Sequence, residues 1–244
     1  MKKNLFLTIS IGATAAFSAL FLSCQTTKQP AAPQATSTGT AAVATVATPV
    51  EAIPAVSAYE PVSIKEKLDY ITTDITYPRF PGNKELSSAI ERYVQQDYPP
   101  VKAEALETKG KNPTSVLSYE YITNYEVIED ATFTSVLLTT YTYTGGAHGL
   151  ESNKSFVWNK KTKALQNVVQ ASGLSYTAIA AKCQTALKKR DFYTADGSVE
   201  AGTQPDDEHL GTFTIDGKKL TIYFDPYAVA PYSEGIQTVD ITLP

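Results

Sequence analysis

The sequence is poor in residues that carry covalent or metal chemistry. Its 244 residues include two cysteines, two histidines, one methionine and one tryptophan. His148 and His209 are too far apart for a zinc helix, and no Gly-rich phosphate loop or nucleophile elbow is present. Neither a metal nor a cofactor is expected. Positive charge is also short: 21 Lys and Arg stand against 25 Asp and Glu, a formal charge of −4. That balance argues against nucleic acid, which is bound by neutralising phosphates. It suits a basic partner, since opposite net charge speeds encounter.

What the chain does have begins at its N-terminus. Lys2 and Lys3 precede an uncharged apolar run from Leu5 to Leu22. A basic start, an apolar stretch and a small residue before the cut are the marks of a secretory signal, here residues 1–23. Phe21-Leu22-Ser23-Cys24 reads as the lipobox of a lipoprotein, with Cys24 as the lipid attachment site. An uncleaved membrane helix is the competing reading, at the lower limit of length. With Cys24 lipidated, Cys183 has no intrachain partner, and loss of both lysines leaves 19 basic against 25 acidic residues, a charge of −6. Gln25, in place of the Asp that retains some lipoproteins at the inner membrane, favours an outer-membrane anchor over the outer face of the cytoplasmic membrane.

Residues 24–58 are Ala, Thr, Pro, Gln and Val, with Lys28 and Glu51 as the only charges and no aromatics. Such a stretch buries too little surface to offset its ordering entropy, so a disordered tether is expected. It would reach roughly 30 Å on average. Residues 59–244 then form one domain, or two closely packed halves at about 59–165 and 166–244.

The spacing predicts an extended stretch over 70–77 and a helix over 84–98, capped by Asn83 and stopped by Pro99-Pro100. Strands are expected at 116–128, 132–144 and 152–158. A helix over 176–189 places Ile179, Cys183 and Leu187 on one face, which makes Cys183 a buried, inert thiol. An irregular stretch over 191–208 leads to a hairpin of 212–215 and 219–224 around Asp216-Gly217, then a last strand over 236–243. The sum is α+β: an antiparallel sheet with two packed helices.

Two stretches carry a resemblance. One is Tyr141-Thr142-Tyr143-Thr144-Gly145-Gly146-Ala147-His148-Gly149. The other runs from Leu220 through Phe224-Asp225-Pro226-Tyr227 and Tyr232-Ser233-Glu234-Gly235 into the final strand. In this order they resemble the paired extracytoplasmic module of RsiV-type anti-sigma factors and of PdaC-type peptidoglycan deacetylases, over about 63–244. The deacetylases add a zinc-dependent catalytic domain, and the anti-sigma factors add a cytoplasmic helical segment. Neither addition is found in this sequence. The resemblance therefore implies a lipid-anchored envelope binding protein, no enzyme, whose partner is a lysozyme-like hydrolase or peptidoglycan. A wall-glycan hydrolase using His148 and a structural envelope lipoprotein are the alternatives.

Candidate partner-binding residues are Gly145, Gly146, His148, Tyr141, Tyr143, Tyr227 and Tyr232. Gly145 and Gly146 permit backbone geometries closed to other residues. They would either close a bend that His148 spans by a hydrogen bond, or set His148 against a ligand. Catalysis by His148 would need an oriented acid or nucleophile beside it, and the sequence supplies none. Tyr119, Tyr121 and Tyr125 share one strand face and read as structural. Tyr227 and Tyr232, around Pro231, are better placed to stack on a sugar or anchor an interface. Asp206-Asp207-Glu208-His209 reads as a solvated loop rather than a cation site, since adjacent side chains on an extended chain do not converge.

Overall fold

Burial and backbone pairing follow the α+β class in a computed structural model that describes residues 58–244. The signal peptide, Cys24 and nearly all of the expected tether lie outside the described residues. No helix among the described residues is long and apolar enough to cross a membrane.

Six strands form the larger sheet in the order β1 (Glu60–Lys67), β2 (Ile71–Arg79), β3 (Tyr119–Glu129), β4 (Phe133–Tyr143), β5 (Leu150–Asn159) and β6 (Ala164–Leu165). Two features differ from the sequence expectation. First, β1 was not foreseen. Val62 and Ile64 are only half-buried on an edge strand otherwise full of charge, so their alternation is faint. Second, β2 and β3 run parallel in an otherwise antiparallel sheet. A parallel pair needs a crossover connection, and helix α1 (Lys84–Lys111) supplies it.

That helix also runs past Pro99 and Pro100, which were expected to stop it. Each proline removes an N–H and crowds the carbonyl four residues earlier. Those carbonyls belong to Gln95 and Gln96, which are exposed, so water can pair them. On the inner side Tyr98 and Ala105 are buried with Val101 packed beside them, and the Tyr98 hydroxyl donates to Glu66 of β1 at 2.9 Å. Lys102 pairs with the same carboxylate. Tertiary burial outweighs the local proline cost.

The second sheet is the meander β7 (Phe213–Asp216), β8 (Lys219–Phe224) and β9 (Gln237–Thr242). Gly217 has φ +58° while Lys218 does not enter the left-handed region, as a two-residue II′ turn requires. Helix α3 (Tyr176–Leu187), with Ile179, Cys183 and Leu187 fully buried, packs against β9 as its spacing predicted. Burial pushes the Cys183 thiol up to about 12, so it stays protonated. The basic run after α3 does not serve the helix end: Arg190 reaches Gln237 and the Thr238 carbonyl of β9, and Lys188 pairs with Glu200. Three short helices, α2 (Val168–Ser172), α4 (Ser198–Gly202) and α5 (Asp207–Leu210), stand where no helix was expected. The acidic run at 206–209 is the start of α5, with Asp206 as its cap, accepting from the His209 amide at 3.0 Å.

Alternation on β4 and β5 serves two cores. Val136 and Leu138 face the cluster under α1, while Phe133 and Val157 join the cluster formed by α3 and the small sheet. Between these large residues sit Ser135 and Ser155, both buried. Ser135 Oγ accepts from the Ile215 amide at 3.0 Å and donates to the Ile215 carbonyl at 3.1 Å. Ser155 Oγ accepts from the Phe213 amide at 2.8 Å. Side chains of the larger sheet thus pair the Phe213 amide and both backbone groups of Ile215 on the free edge of β7. Ser135→Ala should strand two buried backbone groups and cost about 2–4 kcal/mol. Denaturant unfolding of the variant checks this, and a change under about 1 kcal/mol would show that the serine is dispensable.

Candidate functional site

The two stretches singled out in the sequence meet at one end of the sheet junction. The β4–β5 connection carries Gly145 at φ +105° and Gly146 at φ +101°, values that non-glycine residues rarely adopt. The Tyr143 hydroxyl donates to the Gly146 carbonyl at 3.1 Å, which folds the loop back on its own strand. Tyr141 packs flat on Gly149: a Cβ there would stand 2.4 Å from the ring. Gly145 and Gly146 thus shape the loop, while Gly149 gives the Tyr141 ring room.

His148 and Tyr232 make the junction itself. Their rings stack with centroids 3.8 Å apart and planes 18° apart. The Tyr232 hydroxyl donates to the Gly149 carbonyl at 2.9 Å, and His148 Nδ1 lies 2.9 Å from that same oxygen. A carbonyl only accepts, so this geometry places a proton on Nδ1. His148 bonds to its chain neighbour Gly149 and not across the Gly145-Gly146 bend as expected, while its ring face is part of an aromatic row. Tyr227 continues that row, 5.6 Å from Tyr232 and tilted by 32°. It is 61% exposed.

Tyr227 sits at φ +71°, a region unfavourable for any residue with a Cβ. The segment is held there by Asp225, which the sequence reading passed over. Asp225 Oδ1 accepts from both the backbone amide and the side-chain amide of Asn153, at 2.9 and 2.8 Å. Asn153 Oδ1 in turn accepts from Thr139 at 2.8 Å. This chain of contacts ties the end of β8 to β5 and β4. Burial pushes the Asp225 carboxyl above the usual carboxylate range, a bias the two Asn153 hydrogen bonds oppose without cancelling. Its only sequence signal was its place in the Phe224-Asp225-Pro226-Tyr227 run.

The remaining aromatics sort as expected. Tyr119 and Tyr121 are buried under α1, and the Tyr121 hydroxyl donates to Asp97 at 2.6 Å. His209 is engaged by its own helix cap, with Nδ1 2.7 Å from Asp206. No three His, Cys, Asp or Glu side chains among the described residues come together as a metal site.

Residues 64–151 match the family described as Deacetylase PdaC, and residues 160–243 match the Protein of unknown function family DUF3298. The chain is 25% identical over 173 residues to the peptidoglycan-N-acetylmuramic acid deacetylase PdaC of Bacillus subtilis strain 168. That alignment covers 68% of this chain and spans 36% of the relative. A DUF3298 family structure from Pseudomonas aeruginosa PAO1 superposes with a TM-score of 0.51 at 16% identity, over 76% of this chain and 89% of that one. A second, from Bacteroides fragilis NCTC 9343, gives 0.48 at 16% identity, over 76% and 90%. The Pseudomonas protein shares the fold. This chain carries a PdaC-like module in which a PdaC-type segment is followed by a DUF3298-type one. The aromatic row draws His148 from the first matched segment and both tyrosines from the second.

Two variants test the site's construction. Tyr227→Gly should keep or raise stability, by about 1 kcal/mol, because relief of left-handed strain exceeds glycine's entropy cost. A clear fall in Tm would show that the ring is held by packing instead. Asp225→Asn keeps an acceptor for Asn153 and removes the charge. A raised folded-state carboxyl contributes stability below the ordinary carboxylate pKa that is lost as pH rises through the folded value. The variant should therefore gain on the native chain between about pH 3 and pH 7. Denaturation midpoints at both pH values measure this, and the opposite sign would contradict it.

Proposed function

We propose that this chain is a lipid-anchored cell-envelope module that binds the glycan of peptidoglycan and performs no chemistry of its own. The observation that carries the reading is the row His148–Tyr232–Tyr227, an aromatic surface built from two distant stretches and ending in an exposed ring. Aromatic faces at fixed spacing suit the apolar faces of successive sugar rings. The polymer is named from the relative, whose printed activity is on peptidoglycan. Because that relative is much longer than the matched region, its deacetylase activity does not transfer with the module.

Anchoring through Cys24 and exposure beyond the membrane follow from the lipobox and the tether composition. Binding without catalysis is favoured by the surroundings of His148. Its neighbours are a tyrosine ring and a backbone carbonyl, so no acid or nucleophile stands ready to react with it. A basic hydrolase of the lysozyme type is the second reading, favoured by the formal charge of −4.

Co-sedimentation of the full chain with purified insoluble peptidoglycan tests the proposal. Saturable binding is expected, with Tyr232→Ala weakening it by about 2 kcal/mol, or roughly thirtyfold. Tyr227→Ala should weaken it comparably. No sedimentation, together with one-to-one calorimetric binding of a c-type lysozyme, would replace the glycan with the basic enzyme. Muropeptide turnover lost in a folded His148→Ala variant would replace binding with catalysis.

A further inference from the structure

A second groove opens on the other flank of the larger sheet, between the start of α1 and the β4–β5 strand ends. It has a volume of about 600 Å³, and its lining includes Trp158, Phe80, Asn83, Lys84, Lys160 and Lys163. None of the residues of the aromatic row lines it. We propose that this groove is a separate site for a carboxylate-bearing saccharide, whose ring lies on Trp158 and whose carboxylate meets Lys84 and Lys163.

The inventory of hydrogen-bonding groups supports this. Lys160 is already engaged: its ammonium donates to the Asp130 carbonyl at 2.8 Å and lies 3.4 Å from Glu129. The Glu129 carboxylate also accepts from the Thr134 hydroxyl at 2.7 Å, so it offers little to a ligand. Lys84 and Lys163 are exposed and have no carboxylate partner among the described residues. Asn83 spends its carbonyl on the Leu86 amide at 3.1 Å, which turns its amide nitrogen into a spare donor. The Trp158 indole N–H also has no partner among the described residues, and no buried side-chain donor is left unpaired there, so it is open to solvent.

The groove therefore holds an excess of donors over free acceptors: of its two carboxylates, Glu129 is paired with Lys160, which leaves Glu85 to oppose Lys84 and Lys163. A ligand must supply acceptors, best a negative charge between two ammonium groups. It must also present a flat or ring-shaped apolar face, because tryptophan offers the largest such platform of any side chain. Neutral sugars meet the second demand and small inorganic anions the first. Acidic sugars meet both.

The protein contains a single tryptophan, and it lines this groove. Its fluorescence, excited selectively, reports on the site without a label. The probe is N-acetylmuramic acid, with neutral N-acetylglucosamine as control; choosing a wall sugar rests on the proposed function, but the groove's chemistry does not. Titration of the full chain should give a saturable emission change with the acidic sugar, at least roughly tenfold weaker with the neutral one. The exposed double variant Lys84→Gln/Lys163→Gln should lose roughly tenfold in affinity while keeping its circular dichroism. Tyr232→Ala should leave this response unchanged while weakening peptidoglycan sedimentation roughly thirtyfold, so the two sites fail separately. No emission change up to about 20 mM sugar, an equal response to both sugars, or an unaltered double variant would each overturn the proposal.

Discussion

A three-stranded sheet cannot be laid against a six-stranded one unless the exposed edge of its first strand finds hydrogen-bond partners. That edge is the Phe213 to Ile215 backbone of β7, buried and facing away from β8. An unpaired amide or carbonyl there would cost about 1–3 kcal/mol. Ser135 and Ser155, small polar residues set among large apolar ones on β4 and β5, supply the missing partners. A larger side chain at either position would push β7 off the sheet, and an apolar one would leave its backbone unpaired. Both the size and the hydroxyl are needed, and the register of the two sheets follows from them.

Carboxylates fix the junction at both ends of the β7–β8 hairpin, with opposite electrostatics. At the turn, Asp130 is partly buried, but amides of Phe133, Thr132 and Gly217 converge on it and hold its pKa below the ordinary value. At the far end, Asp225 is buried more deeply and receives only the two donors of Asn153, so burial prevails and its pKa rises. The first arrangement is a stable clamp for a turn. The second is a costlier contact, and it lies beside the strained Tyr227 backbone and the stacked His148 and Tyr232 rings. This strain lies where the Tyr227 ring is exposed rather than packed.

Local rules carried part of this fold. The face of α3, the Asp216-Gly217 turn and the central strands β3, β4 and β5 could be read because each obeys one period over its length. Helix α1 was cut short in the sequence reading because a proline pair is a strong local stop. Only the burial of Tyr98 and Ala105 shows why it is overridden. The parallel pairing of β2 with β3 leaves no mark in either strand. At the site, each tyrosine and His148 could be picked out singly, and the resemblance placed their two stretches in one module. Beside them the end of β8 is tied to β5 by Asn153 and Asp225, an ordinary strand residue and an ordinary loop acid 72 positions apart. The pairing of Ser135 with Ile215, 80 positions apart, was equally hidden. Long-range polar contacts between unremarkable residues set this site, and no periodicity encodes them.

If the sheet junction presents the His148–Tyr232–Tyr227 row to sugar rings, a soluble peptidoglycan fragment bound to the full chain must touch those rings. Intermolecular nuclear Overhauser spectra should then show cross-peaks from sugar-ring protons to the rings of Tyr227, Tyr232 and His148. Saturable binding of the fragment with no contact to any of those three rings would contradict it.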